Sequence, residues 1–121
     1  MTDSHNPDVL DRLMTQVCQR ATHMPEGSYT TQLIRGGVDQ MGAKILEEAR
    51  ETVEAARESS STDNQHLIYE ACDLIFHLWV LLGSRNVTVD DLRGELARRE
   101  GTSGLEEKRS RSAAADPSEP L

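Results

Sequence analysis

Aromatic side chains are scarce in this chain, with one Trp, two Tyr and one Phe among 121 residues, and hydrophobic residues of all kinds make up 36%. A chain of this length buries a modest fraction of its surface, so this composition leaves it without a large core of its own. We therefore expect a single small domain that is stabilised by association with a second copy of the chain.

Positively charged residues are also few, because the chain has 13 Lys and Arg residues against 21 Asp and Glu residues, and its net charge is −8. Binding to nucleic acid through its phosphates needs a basic surface, so this class of function is excluded. A phosphorylated small molecule remains compatible with the composition, provided that divalent cations stand between its phosphates and the carboxylates of the protein.

Cysteines are few, and the two present, Cys18 and Cys72, lie too far apart in sequence to form a CxxC pair. Cys72 falls inside an apolar run, which predicts a buried and reduced thiol. Residues 1–7 are polar and lack the apolar stretch of a signal peptide. We therefore expect a cytoplasmic protein.

Strand patterns and internal repeats are absent from the sequence, whereas apolar residues recur at helical spacing through most of it. Asn6 before Pro7 is typical of a helix start, and Ser28 is typical of a helix cap. The predicted helices cover residues 8–21, 28–34, 38–58, 64–84 and 88–100. The expected fold class is all-α, a bundle of about four to five helices that dimerisation completes.

Three regions are expected along the chain. Residues 1–25 should form an N-terminal helix and linker, and residues 26–100 should form the helical domain. Residues 101–121 should form a C-terminal extension that is disordered from about residue 110, because the end of the chain has no apolar periodicity.

The segment 68–82 is apolar around nearly its whole circumference, which predicts a helix covered on all sides, in part by a second copy of the chain. Three polar residues, Glu70, Asp73 and His77, share one narrow stripe of this helix. Two carboxylates near its centre argue against a membrane span. Because burying a carboxylate costs several kcal/mol without compensation, this stripe needs a cation or a dense set of hydrogen bonds.

The preceding helix offers further negative charge instead of cations, because Glu48 and Glu51 are also three residues apart. A short loop joins the two helices and predicts antiparallel packing, which can place this pair opposite Glu70 and Asp73. Four facing carboxylates repel strongly where the dielectric constant is low. Hard oxygen ligands in this number suit Mg²⁺, with Mn²⁺ as a substitute, so these four residues are the predicted metal ligands.

Less specific interpretations remain open at several residues. Glutamates on helices usually lie on solvated faces, and Lys44 is either an intrahelical partner of Glu48 or a phosphate contact. A lone histidine such as His77 is more often a core or supporting residue than a catalyst. A di-iron carboxylate site would need two Glu-x-x-His pairs, and the two acidic helices contain none.

The two acidic pairs, separated by eighteen residues, resemble the E-x-x-E and E-x-x-D signature of the all-α nucleotide pyrophosphohydrolases, the MazG-like superfamily. Flanking segments narrow the resemblance, since residues 28–30 read SYT, residues 44–51 read KILEEARE and residues 70–82 read EACDLIFHLWVLL. Over about residues 26–100 the chain resembles the phosphoribosyl-ATP pyrophosphatase family. Leu46, Cys72 and Phe76 depart from the usual residues, and none of them is a predicted ligand.

The resemblance implies a Mg²⁺-dependent enzyme that hydrolyses 1-(5-phosphoribosyl)-ATP to the AMP form and pyrophosphate, the second step of histidine biosynthesis. It implies Glu47 or Glu51 as the base that accepts the proton of the attacking water, with His77 as a residue that supports the metal ligands. It further implies substrate contacts from Lys44, Arg35, Ser28, Tyr29 and Thr30, although Ser28 and its neighbours can equally cap a helix. A homodimer and a separate phosphoribosyl-AMP cyclohydrolase protein are also expected.

Three other functions remain to be distinguished. A house-cleaning pyrophosphohydrolase that acts on non-standard nucleotides would share the metal site but should lack the SYT and His77-centred segments. A non-catalytic helical interaction module would need no buried acids. A di-iron protein would contain iron.

Overall fold

The structure is a computed structural model of the chain, and it describes residues 6–58, 63–100 and 104–114. These residues form the helices α1 (Val9–His23), α2 (Tyr29–Arg35), α3 (Gly37–Glu58), α4 (Gln65–Ser84), α5 (Val89–Arg99) and α6 (Gly104–Ala114). The all-α prediction is confirmed, with six helices in the described residues instead of four to five. The polar loop between α3 and α4 lies mostly outside the described residues.

Contacts within the chain define two units, Met1–Val89 and Asp90–Leu121. The boundaries predicted near residues 25 and 100 stay a prediction. The first unit contains α1 to α4 and therefore includes the N-terminal helix that the sequence analysis set apart. The physical reason is that α1 packs against both α2 and α4.

The cap of helix α1 is Asp8, two residues later than the cap predicted at Asn6. The Asp8 carboxylate accepts hydrogen bonds from the backbone N–H groups of Leu10 and Asp11, while the Asp11 carboxylate accepts from the N–H of Asp8. This reciprocal capping box satisfies free donors of the first turn, so Asp8 and not Asn6 starts the helix.

The predicted cap of α2 is confirmed, because Ser28 Oγ accepts a hydrogen bond of 3.2 Å from the N–H of Thr31. Gly37 has a φ of +87°, in the left-handed region that glycine enters without the steric cost of a Cβ. This conformation lets the chain turn sharply from α2 into α3.

The C-terminal extension contains a helix where disorder was expected from about residue 110. Helix α6 continues to Ala114, and residues 115–121 lie outside the described residues. Glu, Lys, Arg and Ala favour helix formation even where apolar residues show no periodicity, which the prediction did not take into account.

Helix α4 packs against α3 and α1. Glu58 meets His66 near the α3–α4 connection, and Glu48 meets Asp73 further from it, so the two helices run antiparallel as predicted. The contacts between α4 and α1 show the other relative direction. Trp79 Nε1 donates to the Leu10 carbonyl at 3.0 Å, and the next turn of α4 meets α1 further along, so these helices run parallel.

Only the C-terminal half of α4 is buried in the single chain. Its buried residues are His77, Trp79, Val80 and Gly83. Ile68 is 53% exposed and Tyr69 is 65% exposed, and Cys72 is exposed as well. The prediction of a buried Cys72 thiol is therefore wrong for the single chain, and the prediction that a second copy of the chain covers the rest of α4 stays a prediction.

By length and apolar content α4 could cross a membrane, a property that it shares with the core helices of soluble proteins. Its stripe of Glu70, Asp73 and His77 distinguishes it from a typical span, since ionisable groups are costly inside a bilayer. In the described residues α4 packs against α1 and α3.

We expect Gly83→Ala to lower the free energy of unfolding by about 1–2 kcal/mol, although alanine favours helices. A Cβ at Gly83 would lie 2.5 Å from Val17 Cγ1 and 3.4 Å from Met14 Sδ, so α1 and α4 would have to separate. Urea denaturation measures the change. Gly94→Ala is the matched control, because Gly94 is exposed in α5 with open space around its Cα. Equal stability of the two variants would contradict the close approach.

Candidate active site

Carboxylates from α3 and α4 converge where the two helices pack. Oxygens of Glu48, Glu70 and Asp73 lie within 4.8 Å of one another, and so do oxygens of Glu47, Glu48 and Glu51. Glu48 belongs to both groups, so it joins the acidic residues of α3 to those of α4. The structure thus brings together the two acidic pairs that the sequence analysis placed opposite each other.

Glu48 is the most enclosed of these carboxylates, with 6% of its surface exposed. Its Oε1 atom and the Oε1 atom of Glu70 are buried and have no hydrogen-bond partner among the described residues. Burial raises the pKa of Glu48 to about 7, and the charges of Glu51 and Asp73 act in the same direction, while Lys44 opposes them in part. Buried oxygens without donors, surrounded by further negative charge, are a set that fits a divalent cation.

Lys44 lies at the edge of the cluster, with its Nζ 3.5 Å from both carboxylate oxygens of Glu47 and 3.9 Å from Glu48 Oε2. Partial burial acts to lower the pKa of Lys44, but electrostatic attraction from the Tyr29 oxygen and from the carboxylates of Glu47 and Glu48 raises it above its ordinary value. The ammonium group therefore stays charged at neutral pH. About a third of the side chain is exposed, so it can contact a ligand while it pairs with the glutamates.

His77 is buried and connects α4 to the start of α2. Its Nδ1 atom lies 2.8 Å from the Asp73 carbonyl, and its Nε2 atom lies 3.1 Å from the Tyr29 hydroxyl. Because a carbonyl only accepts, Nδ1 carries a proton, and in the neutral ring Nε2 accepts from Tyr29. The ring of Tyr29 stacks on Phe76 with centroids 6.1 Å apart. His77 therefore supports the backbone at Asp73 and the position of Tyr29.

His66 joins the site although the sequence analysis did not select it. Its Nε2 atom lies 3.2 Å from Glu70 Oε2, and its Nδ1 atom lies 3.6 Å from Glu58 Oε1. The imidazole thus holds one oxygen of Glu70 and leaves the other buried without a partner. The spacing of four residues between His66 and Glu70 on one helix was the available signal.

The remaining predicted substrate contacts lie in different surroundings. Ser28 is occupied as the cap of α2, and Thr30 is buried. Arg35 pairs with Glu26 at 3.3 Å, and both side chains are exposed. Of this group, Tyr29 lies next to a cavity of about 360 Å³, together with Lys44.

Comparison with known proteins defines the family. The family model described as phosphoribosyl-ATP pyrophosphohydrolase matches residues 10–100. A phosphoribosyl-ATP pyrophosphatase from Rhodopirellula baltica is 56% identical over 107 residues, which cover 88% of this chain and 89% of the relative. The chain belongs to this family. The predicted family is confirmed, and so is the prediction that the chain is an enzyme.

Further relatives of the same name agree with the assignment to the phosphoribosyl-ATP pyrophosphohydrolase family. The one from Novosphingobium aromaticivorans is 44% identical over 105 residues, which cover 87% of this chain and 95% of the relative. The one from an Azoarcus species is 40% identical over 104 residues, which cover 86% of this chain and 94% of the relative. The family match includes every carboxylate of the cluster, from Glu47 to Asp73.

The raised pKa of Glu48 predicts a pH dependence of stability for this family member without metal. The folded state holds the Glu48 proton up to about pH 7, whereas the unfolded chain releases it near 4.5. The contribution of Glu48 therefore becomes unfavourable as the pH rises from 4.5 to 7, and we expect it to cost on the order of 1–3 kcal/mol above pH 7.

Urea denaturation of the metal-free protein between pH 5 and pH 8 measures this effect. Glu48→Gln is the control, because it removes the titrating group, and its stability relative to the wild type should rise from pH 5 to about pH 7 and then level off. A constant difference between the two proteins over this range would contradict the prediction.

Proposed function

We propose that this chain hydrolyses 1-(5-phosphoribosyl)-ATP to 1-(5-phosphoribosyl)-AMP and pyrophosphate, the second step of L-histidine biosynthesis. Membership of the phosphoribosyl-ATP pyrophosphohydrolase family supports the substrate and the reaction. The observation that carries the proposal is the convergence of two carboxylate groups on Glu48, with oxygens of Glu48 and Glu70 buried and unpartnered among the described residues.

The proposed cofactor is Mg²⁺, with Mn²⁺ as a substitute, held by Glu48, Glu51, Glu70 and Asp73. The donor set fits, since all four side chains offer hard carboxylate oxygens, and one oxygen of Glu48 and one of Glu70 are buried without a hydrogen-bond donor in the described part of the chain. When bound, the divalent ion supplies positive charge that neutralises the triphosphate and the pyrophosphate leaving group.

The reaction forms a bond between a water oxygen and the α-phosphorus, and it breaks the bond from the α-phosphorus to the oxygen that bridges to the β-phosphorus. Glu47 and Glu51 are the two carboxylates that could accept the proton of this water, because both lie beside Glu48. Lys44 contributes a charged Nζ at the same edge, where it can pair with phosphate oxygens. His77 and His66 position Asp73 and Glu70.

Arg35, Ser28 and Thr30 carry weaker support as substrate contacts. Arg35 is exposed and has an ion pair with Glu26, which a polyanionic substrate could replace. Ser28 caps α2 and does not contact the substrate itself. It helps to position Tyr29, the first residue of that helix. Thr30 is 5% exposed, so its role is to support the packing of α2.

We further propose a homodimer in the cytoplasm, working alongside a separate phosphoribosyl-AMP cyclohydrolase. Apolar residues on α3 and α4 remain exposed in the single chain, including Leu46, Val53, Ile68 and Tyr69. A second copy that covered them would supply the apolar contacts that the small core lacks. Sedimentation equilibrium should give twice the chain mass, and Val53→Glu with Ile68→Glu should give single chains. Leu105→Glu, at an exposed site on α6, is the matched control.

The activity is tested by measuring pyrophosphate release from 1-(5-phosphoribosyl)-ATP with and without Mg²⁺. We expect release with Mg²⁺ and none after chelation. Canonical and non-standard nucleoside triphosphates serve as competing substrates, because preferential hydrolysis of these would favour the house-cleaning alternative. The names of the compared relatives do not favour that alternative.

A further inference from the structure

A cavity of about 360 Å³ adjoins the carboxylate cluster on the side of α2. Its lining consists of Tyr29, Gln32, Leu33, Gln40, Ala43 and Lys44. Its volume is near the lower end for small-molecule sites, which suits one part of a nucleotide and not the whole of a substrate with two riboses and a triphosphate.

The two ends of this cavity differ in chemistry. Lys44 provides a positive charge at the end where its Nζ reaches Glu47 and Glu48. The rest of the lining combines the half-exposed ring of Tyr29 and the apolar side chain of Leu33 with two side-chain amides. A ligand that matches both ends is anionic at one end and planar at the other, which describes a nucleotide with its base away from the cluster.

The two amides are available for a ligand. Neither Gln32 nor Gln40 uses its side-chain amide in a hydrogen bond with another described residue. The Gln40 side chain lies against the backbone of Gly36, where a Cβ would collide with its amide. Gly36 therefore creates the space in which the Gln40 amide lies, and Gln32 lines the same cavity.

We propose that this cavity binds the adenine ring of the nucleotide substrate and that the Gln40 amide, with Gln32 beside it, reads the N6 and N7 edge of the ring. This subsite rests on the proposed function. In 1-(5-phosphoribosyl)-ATP the second ribose is attached at N1 and blocks the Watson–Crick edge, so the N6 and N7 edge is the one left open. A glutamine amide offers one donor and one acceptor, the combination that adenine N7 and N6 require.

The test uses the full chain without Mg²⁺, labelled with ¹⁵N, and AMP as the probe. Gln32→Leu and Gln40→Leu assign the two side-chain amide signals. We expect both signals to shift as AMP is added and to stay in place with ribose 5-phosphate, which has the phosphate but no base. The base subsite would be overturned if the amide signals did not shift with AMP, or if they shifted equally with the two probes. Equal shifts would leave an anion site at Lys44.

Variants extend the test to affinity. We expect Gln40→Leu to weaken AMP binding by about fivefold or more. Gly36→Ala should weaken it as well, because it displaces the Gln40 amide while the glutamine itself remains. Gln19→Leu, on the exposed surface of α1, is the control and should bind AMP like the wild type. Wild-type affinity in Gln40→Leu would contradict the proposal.

Catalysis separates this proposal from the proposed function. In pyrophosphate release from 1-(5-phosphoribosyl)-ATP, Gln40→Leu should raise KM by about fivefold or more, with a smaller change in kcat. If the wild type shifts its amide signals with AMP but does not hydrolyse this substrate, the proposed function fails and the base subsite stands. If the wild type hydrolyses the substrate but its amide signals do not shift with AMP, only the proposed base subsite is wrong.

Discussion

Replacement of Glu70 by Gln, or of Asp73 by Asn, is expected to slow pyrophosphate release from 1-(5-phosphoribosyl)-ATP by at least about 10²-fold, with the helical fold retained. Each change removes one negative charge from the group that converges on Glu48 and keeps the size of the side chain. A loss of this size corresponds to about 3 kcal/mol of transition-state stabilisation. Measurement of kcat/KM in saturating Mg²⁺ checks it.

The same variants separate loss of activity from loss of folding. A buried carboxylate with neighbouring negative charges is destabilising without metal, so neutral amides should leave the metal-free protein at least as stable as the wild type. The His77 hydrogen bond should survive in Asp73→Asn, because it goes to the backbone carbonyl. Glu54→Gln is the control, since Glu54 is exposed and pairs with Arg50. Near wild-type turnover in both Glu70→Gln and Asp73→Asn would remove these residues from the mechanism.

Addition of Mg²⁺ is expected to raise the melting temperature of the wild type strongly, and chelation is expected to abolish activity. A ligand that binds only the folded state stabilises it by about 2.7 kcal/mol at a hundred times its Kd. For a domain of this size, that corresponds to a rise in Tm on the order of 10 °C. The folded chain brings together carboxylates from α3 and α4 that lie far apart in the unfolded chain. Mg²⁺ should therefore bind the folded state much more tightly than the unfolded state.

Glu48→Gln provides the specific comparison, because Glu48 is the residue that both carboxylate groups share. We expect this variant to melt higher than the wild type without metal at pH 8 and to lose most of the Mg²⁺-dependent rise. Potassium chloride at equal ionic strength controls for general screening of a chain with a net charge of −8. A rise in Tm that is equal in the wild type and in Glu48→Gln would show that Mg²⁺ binds elsewhere.

Local features of the chain made several elements predictable. Apolar periodicity predicted α3 and α4 to within a residue or so at each described end, and the Ser28 cap followed from its side-chain oxygen. The start of α1 was wrong, because Asn6 and Asp8 are both good cap residues and only the reciprocal bonds with Asp11 decide between them. Helix α6 was not predicted, because the lack of apolar periodicity was read as disorder from about residue 110 and helix propensity was left out.

The acidic pairs illustrate which features of the site the sequence could predict and which depended on tertiary packing. The meeting of the acidic pairs was predictable, since a short connection favours antiparallel helices and both pairs face the same seam. The sequence did not predict which carboxylate is enclosed, because the burial of Glu48 depends on how α3 and α4 pack. The Glu26 partner of Arg35 and the cavity beside Tyr29 likewise depend on how α2 packs against its neighbours.

The sequence by itself determined the helical class, the family and the two acidic pairs, because each follows from residue types at short, regular spacing. The tertiary structure alone decided that Glu48 links the pairs and that α4 leaves Ile68 and Tyr69 exposed. The physical reason is that burial and electrostatic environment depend on which surfaces meet. Helical periodicity shows which face of a helix is apolar, but only packing shows what covers it.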